Sequence, residues 1–461
     1  MMSIFADQFE TLQTVMPLRV VGEVAGISGL TIEVRDLPVA VGSMCRIHSF
    51  GGKSSLGEVI GLRRDQTLLM PLSPLAGVAR GDKVENIASV PRLRCSEELL
   101  GRVINGLGQP IDGKGPLHLC RTLRIDAPSV APLLRRNIHE PIATSIRAID
   151  ALHTCGQGQR MGIFAGPGVG KSTLLSSIAR NHSADVSVIA LIGERGREVQ
   201  EFLTKSLGPD GLARCVLVVS TGDEPPPLRV RAAKVAATIS EYFRDQGKNV
   251  LLLMDSLTRL CHAQRQIGLA AGEPPATKGF PPSVFALLPE ILERAGNSPV
   301  GSITGFYTVL VEGDDFNEPI ADAVKGITDG HIWLDRKLAT RGHFPAIDVL
   351  QSISRVRPDV VPETQVKSAV RVLSLLATYQ SIEDLVNIGA YAPGANLEYD
   401  LAVQSRARII QFLQQAPNQS ATLEQSAQQL QELAAWIDLT EKSLRTQAAK
   451  NLKRPVANAT A

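Results

Sequence analysis

The chain has 461 residues, of which 44% are hydrophobic, enough to build two or three domains with sizeable cores. Its 48 Lys+Arg and 46 Asp+Glu leave a net charge of +2, and only 4% of residues are aromatic, which speaks against a nucleic-acid or membrane footprint over the whole chain and against a base-stacking platform. The six cysteines (Cys45, Cys95, Cys120, Cys155, Cys215, Cys261) show no metal or redox spacing, and no stretch approaches the roughly 18 consecutive apolar residues of a membrane span.

Taken in order, Met1 to Pro17 carries Asp7 and Glu10 and lacks the basic-then-apolar layout of a secretory signal. Ile4, Phe5, Phe9, Leu12, Val15 and Met16 fall near helical spacing, so residues 1–18 are expected to form a short amphipathic helix that docks a partner or packs on its own domain. Over residues 19–92, short runs such as Val20-Val21, Leu30 to Val34, Cys45 to Ile47, Glu58 to Leu62 and Thr67 to Met70 alternate with turn residues, the pattern of a small β-barrel. Cys95 to Pro141 is rich in Gly and Pro and reads as a winding connector.

Residues 93–362 are expected to form an α/β nucleotide-binding domain. Apolar runs at Met161 to Ala165, Val186 to Ile192, Cys215 to Ser220, Val250 to Met254 and Ser302 to Val311 alternate with helical patterns at Leu228 to Arg244 and Ser256 to Gln266. Such alternation builds a mostly parallel sheet with helices on its faces and ligands at the strands' carboxyl ends. Residues 363–440 read as a helical C-terminal domain, with apolar three- and four-residue steps at Val366 to Leu376, Glu398 to Gln414 and Leu423 to Ile437. Thr422-Leu-Glu-Gln425 is a capping box. Residues 441–461 read as a flexible tail.

The sharpest chemical signal is Ala165-Gly166-Pro167-Gly168-Val169-Gly170-Lys171-Ser172-Thr173, between a buried strand and an apolar-periodic helix. This is a phosphate-binding loop. Its glycines let backbone N–H groups close on phosphate, Lys171 reaches the β- and γ-phosphates of ATP, and the Ser172 hydroxyl takes a place on Mg²⁺. Ala165 stands where the strict pattern has glycine. Asp255 ends the apolar strand Val250 to Met254 and either holds Mg²⁺ through water or caps the next helix. In Gly193-Glu-Arg-Gly-Arg-Glu198, Glu194 suits the polarising of an attacking water, Arg195 the γ-phosphate, and Glu198 a metal-bound water. Arg355, in Ser352 to Arg357, is one of several arginines able to stabilise transition-state charge from a neighbouring subunit.

With these motifs, Leu100-Gly-Arg-Val, Gly108-Gln-Pro-Ile-Asp-Gly113, Met254-Asp-Ser-Leu-Thr-Arg259, Leu292-Glu-Arg-Ala295 and the run Gly272 to Phe285, the chain resembles the rotary-type ATPases over residues 19–437. The run from Gly272 to Phe285 resembles the flagellar and type III protein export ATPases, the flagellar kind favoured. The resemblance implies a RecA-like central domain and assigns Glu194 as catalytic glutamate, Asp255 as Mg²⁺-site aspartate, Arg355 as an arginine finger and Phe344 as an aromatic on adenine. It also implies a homohexamer, with a central coiled-coil stalk protein meeting Gly279 to Val284. A stator-like regulator would bind the N-terminus, and an export gate and substrate–chaperone complexes the C-terminal domain. The setting implied is cytoplasmic, at the inner-membrane export apparatus, with peripheral membrane association at most and no specific nucleic acid. Pro167 and Phe280 depart from the family pattern, Pro167 by removing one N–H from the phosphate cradle, Phe280 by lacking the usual tyrosine hydroxyl. The alternatives are the catalytic subunit of an ion-translocating ATP synthase, a non-catalytic ring subunit, which Glu194 opposes, and a hexameric RNA motor, which would need more barrel aromatics than Phe50.

Overall fold

The computed structural model describes residues 19–452 except 50–51, 74, 76, 312 and 314–317. The expected helix at 1–18 and Phe50 lie outside the described residues, as do 453–461. Among the described residues, no helix is long and apolar enough to cross a membrane.

Six antiparallel strands close a barrel: β1 (Val21–Ser28), β2 (Thr31–Arg35), β3 (Met44–His48), β4 (Ser54–Arg63), β5 (Gln66–Pro71) and β6 (Lys83–Ala88), in the order β1-β2-β5-β4-β3-β6. Alternation puts Val24, Ile32, Val34, Ile47, Val59, Leu69 and Val84 inside. β6, which the runs above do not include, closes the barrel between β1 and β3. Its sequence Lys-Val-Glu-Asn-Ile-Ala buries only Val84 fully, too thin an apolar signal for a strand by itself. Gly22 is required by packing, because a Cβ there would meet the Arg35 carbonyl at 2.3 Å.

The central sheet is built on β7 (Val103–Asn105), β8 (Arg160–Ala165), β9 (Val186–Glu194), β10 (Cys215–Thr221), β11 (Asn249–Asp255), β12 (Ser302–Leu310), β13 (Gly330–Leu334) and β14 (Ile347–Ser354). Their order is β14-β13-β8-β12-β11-β9-β10-β7, with the short Gly296–Asn297 segment pairing on β12. All pairs along that order are parallel except β13–β14. All nine residues of β9 are buried, as a strand covered on both faces requires. Helices α1 (Lys171–Asn181), α2 (Pro226–Arg244) and α3 (Leu257–Ala271) flank the sheet. β7 shows that the glycine-rich connector also supplies a sheet edge. Arg102 fastens the loop that follows, donating to both Asp112 oxygens at 2.7 and 2.9 Å and to the Gly115 carbonyl at 2.6 Å.

Three helices follow: α4 (Glu363–Asn387), α5 (Leu397–Leu413) and α6 (Leu423–Leu452). The capping box at α6 forms in full: Gln425 N donates to Thr422 Oγ1 at 3.2 Å, and Thr422 N donates to Gln425 Oε1 at 3.0 Å. α6 continues through Lys442 to Leu452, so the first part of the expected flexible tail is helical. Leu444 packs against the core, and Glu441 pairs with Arg371 and, at 2.6 Å, with Arg445.

Candidate active site

Parallel order brings the carboxyl ends of β8, β9 and β11 to one edge, and the polar residues cluster there. Ala165 is the buried last residue of β8, paired with Leu310 and Leu334. It is an ordinary strand residue, so the missing glycine costs nothing. Left-handed geometry is confined to Gly168 (φ 78°) and Gly170 (φ 92°), and α1 begins at Lys171 immediately after. Gly166 is buried, Pro167 is exposed at the crest of the loop, and Val169 anchors it at 1% exposure.

Lys171 Nζ is hydrogen-bonded to Asp255 Oδ1 and lies 3.9 Å from Glu194 Oε1. Thr308 Oγ1, from β12, donates to the same Asp255 oxygen at 2.7 Å. Glu194 ends β9 at 6% exposure. Arg259 on α3 faces it, with Nε 3.1 Å from Oε1 and Nη2 donating to Oε2 at 3.3 Å. Gly193 is held at φ 70°, and a side chain there would run into Arg259 at 2.9 Å. Burial, then the neighbouring Glu198 carboxyl and the Asp255 charge, push the Glu194 carboxyl up to about 7, against the pull of Lys171 and Arg259.

A cavity of about 310 Å³ opens on this cluster, lined among others by Ser172, Thr173, Glu194, Glu198 and Asp255. No group of three or more His, Cys, Asp or Glu side chains among the described residues makes a self-sufficient cation site. Glu194 Oε1 is buried without a hydrogen bond. One hydroxyl and a few carboxylates, all oxygen donors, fit Mg²⁺, which takes only one or two protein ligands and completes its shell with water and substrate phosphates.

A second cavity, of about 250 Å³, lies on the other side of the first turn of α1, and Thr173 borders both. Its walls are mainly apolar: Val169, Leu174, Leu334, Phe344, Pro345 and Pro417 contribute. Phe344 is 43% exposed, and its ring would be 3.7 Å from a Cβ at Gly170. An exposed aromatic beside a phosphate loop is a platform for a flat ring.

The structure therefore brings Lys171, Ser172, Thr173, Glu194, Glu198, Asp255 and Phe344 around the loop. It leaves Arg355 away from the loop, and Arg195 joins the group only through Glu198. The Arg195 side chain is 81% exposed and pairs with Glu198 at 3.6 Å. Arg355 follows β14, the antiparallel strand. Ile347 pairs with Leu334 beside the loop, whereas Ser354 pairs with Gly330 at the opposite end of the sheet. At ~3.3 Å per residue, Arg355 lies on the order of 15 Å from the loop along the strands. It is exposed. Arg259 and Thr308 are the site residues to which sequence reasoning gave no role. Arg259 sits in the quoted Met254 to Arg259 run, four residues after Asp255 and one helical turn into α3, and that spacing is the signal that was there to use. Phe280 is 4% exposed, stacked on His262 and lying 5.2 Å from the Arg265 guanidinium.

Comparison with known proteins agrees domain by domain. The nucleotide-binding domain model of the ATP synthase alpha/beta family matches residues 145–354, and that family's beta-barrel domain model matches residues 24–87. The T3SS EscN ATPase C-terminal domain model matches residues 361–432. The flagellum-specific ATP synthase of Bacillus subtilis (strain 168) is 49% identical over 421 residues, 91% of this chain and 95% of the relative. The assembled ATPase EscN of the enteropathogenic E. coli type III secretion system is 46% identical, with a TM-score of 0.86 over 90% of this chain and 100% of that one. EscN in complex with its central stalk EscO is 44% identical, with a TM-score of 0.83 over the same shares.

Proposed function

The chain belongs to the flagellar and type III export ATPases of the ATP synthase alpha/beta family, and on that premise we propose how its residues divide the work of an ATPase of protein export. Lys171 and the N–H groups of Gly168 to Thr173 bind the phosphates, and Phe344 stacks on the adenine. The two cavities flank the first turn of α1, so a nucleotide lying over that turn has its base in one and its terminal phosphate at the other. Ser172 and Asp255, with Glu198 through water, are the residues that would hold Mg²⁺. Bound there, Mg²⁺ neutralises phosphate charge.

Glu194 is the residue that accepts the proton of the attacking water. A carboxyl poised near 7 is matched to that task. Arg259 fixes its orientation through two contacts and keeps a positive charge on its flank. Arg195 is free to turn toward the γ-phosphate, because its exposed pair with Glu198 is weak.

Within one chain, Arg180 lines the larger cavity, Arg259 is engaged by Glu194 and Arg195 is paired with Glu198; the arginine finger is assigned to a residue from outside the chain. Arg355 has the charge and the exposure but the wrong end of its own sheet. A neighbouring copy supplies it in a heterologous, head-to-tail contact, which closes into a ring. The reading is a homohexamer whose sites combine Glu194 of one copy with Arg355 of the next, driving delivery or unfolding of export substrates. A coiled-coil stalk in the ring's centre fits the similarity to EscN with EscO. The remaining partners proposed are a stator-like regulator at residues 1–18, an export gate, and substrate–chaperone complexes at the C-terminal helices. The place of work proposed is the cytoplasmic face of the inner membrane.

The observation that carries this reading is the buried Glu194 held between Lys171 and Arg259 beside Asp255. Glu194→Gln should abolish ATP turnover and leave nucleotide binding intact. Normal turnover in that variant would sink the assignment.

A further inference from the structure

One wall of the base-facing cavity comes from outside the sheet. Gln415, Ala416 and Pro417 belong to the turn after α5, in the helical region, and stand across from Phe344 and Pro345. Gln415 is 7% exposed, and its polar groups hold that turn in place. Its backbone N donates to the Phe344 carbonyl at 2.9 Å. Its Oε1 accepts from Arg147 N at 2.8 Å. Its Nε2 donates to the Ser145 carbonyl at 2.8 Å and to the Gln419 carbonyl at 2.7 Å.

A glutamine carboxamide has two N–H donors and one carbonyl acceptor group. Here both donors and the carbonyl are taken by the protein, so Gln415 has no donor left to read a base edge. Arg147 adds a second tie across the same junction. Its Nη2 donates to the Gln414 carbonyl and its Nη1 to Gln429 Oε1 on α6, both at 2.7 Å. The guanidinium also lies over Phe412, 5.6 Å from the ring centre. The slot beside Phe344 therefore exists only where the 414–417 turn is docked on Ser145 and Arg147.

We infer that Gln415 is a positioning residue for nucleotide binding: its carboxamide locks the 414–417 turn against Phe344, so that affinity for the base depends on docking of the helical domain. The inference rests on the reading of Phe344 as the adenine platform. By linkage, a bound base tightens that docking to the same degree that docking tightens the base. The phosphates are held by other groups, so their binding is independent of Gln415.

The test compares two probes with the full chain: ATP, and inorganic tripolyphosphate, which has the phosphates and no base. Gln415→Ala should raise the Kd for ATP about tenfold, the scale of losing one buried hydrogen-bonded anchor, while the Kd for tripolyphosphate and the kcat at saturating ATP stay as in the parent protein. Gln415→Met, which keeps the side chain's length, should do the same and carries the test if the alanine variant does not fold. Equal weakening of both probes, or of neither, overturns the inference. Phe344→Ala is the control: it should weaken ATP and spare tripolyphosphate. If it leaves ATP binding unchanged, the base-platform reading fails whatever Gln415 does. If it weakens ATP while both Gln415 variants do not, only the positioning role fails.

Discussion

Replacing Glu194 by glutamine should stabilise the nucleotide-free protein, by an amount that depends on pH. Glu194 is 6% exposed, and its carboxyl is pushed from 4.5 to about 7 by burial, by the Glu198 carboxyl and by Asp255, with Lys171 and Arg259 opposing. The unfolded chain releases this proton near 4.5, whereas the folded chain keeps it until about 7. Across that window the folded state binds the extra proton, so the group's contribution to stability falls as pH rises and is least favourable above the window. The interval corresponds to on the order of 3 kcal/mol. Glutamine carries no such cost. Denaturant unfolding of parent and variant at about pH 8 should show the variant ahead by up to that amount, and the lead should shrink toward zero at about pH 5. A lead of equal size at both pH values, or a less stable variant at the higher one, refutes the burial argument. A carboxylate held at a stability cost fits the catalytic role proposed for Glu194, the usual trade between activity and fold.

Other outcomes follow from single contacts. Arg294 is 3% exposed and makes a two-pronged pair with Glu241, Nε to Oε1 at 2.8 Å and Nη2 to Oε2 at 2.6 Å. Arg294→Ala should cost about 3 to 5 kcal/mol by stranding that carboxylate, and a loss under about 1 kcal/mol in denaturant unfolding would contradict it. Gly170→Ala places a side chain at φ 92° beside Phe344; it should cost roughly 1–2 kcal/mol in backbone strain and weaken ATP binding measured by titration, and unchanged affinity would count against the loop geometry. Pro167→Ala restores an N–H to the exposed crest of the loop and should tighten ADP by at most about fivefold without changing kcat; weaker ADP binding would show that the proline's rigidity, not its missing donor, sets affinity.

The local parts of this molecule were legible in its sequence. The phosphate loop, the strands at Met161 to Ala165 and Val250 to Met254, and the Thr422 capping box are each written in a dozen residues or fewer, and each forms. What escaped was the product of long-range pairing. Nothing local marks β14 as antiparallel, yet that single reversal carries Arg355 to the far end of the sheet. Arg259 meets Glu194 only because α3 crosses over the end of β9, 65 positions away in sequence. The 414–417 turn looks like a linker after α5, and its role as a cavity wall depends on hydrogen bonds to Ser145 and Arg147, some 270 residues upstream. The helix runs on past Lys442, with Leu444 still packed against the core and Glu441 paired with Arg371 and Arg445 at the start of that stretch.

The central claim is that each catalytic site is shared between copies, Glu194 from one and Arg355 from the next. Subunit mixing tests it most directly. Glu194→Gln and Arg355→Ala chains should each be inactive alone as assembled protein. Mixed in equal amounts, they should recover ATP turnover, because about one interface in four then joins an intact glutamate to an intact arginine. No recovery on mixing, or full activity of the parent chain as a monomer unaffected by dilution, would contradict the shared site.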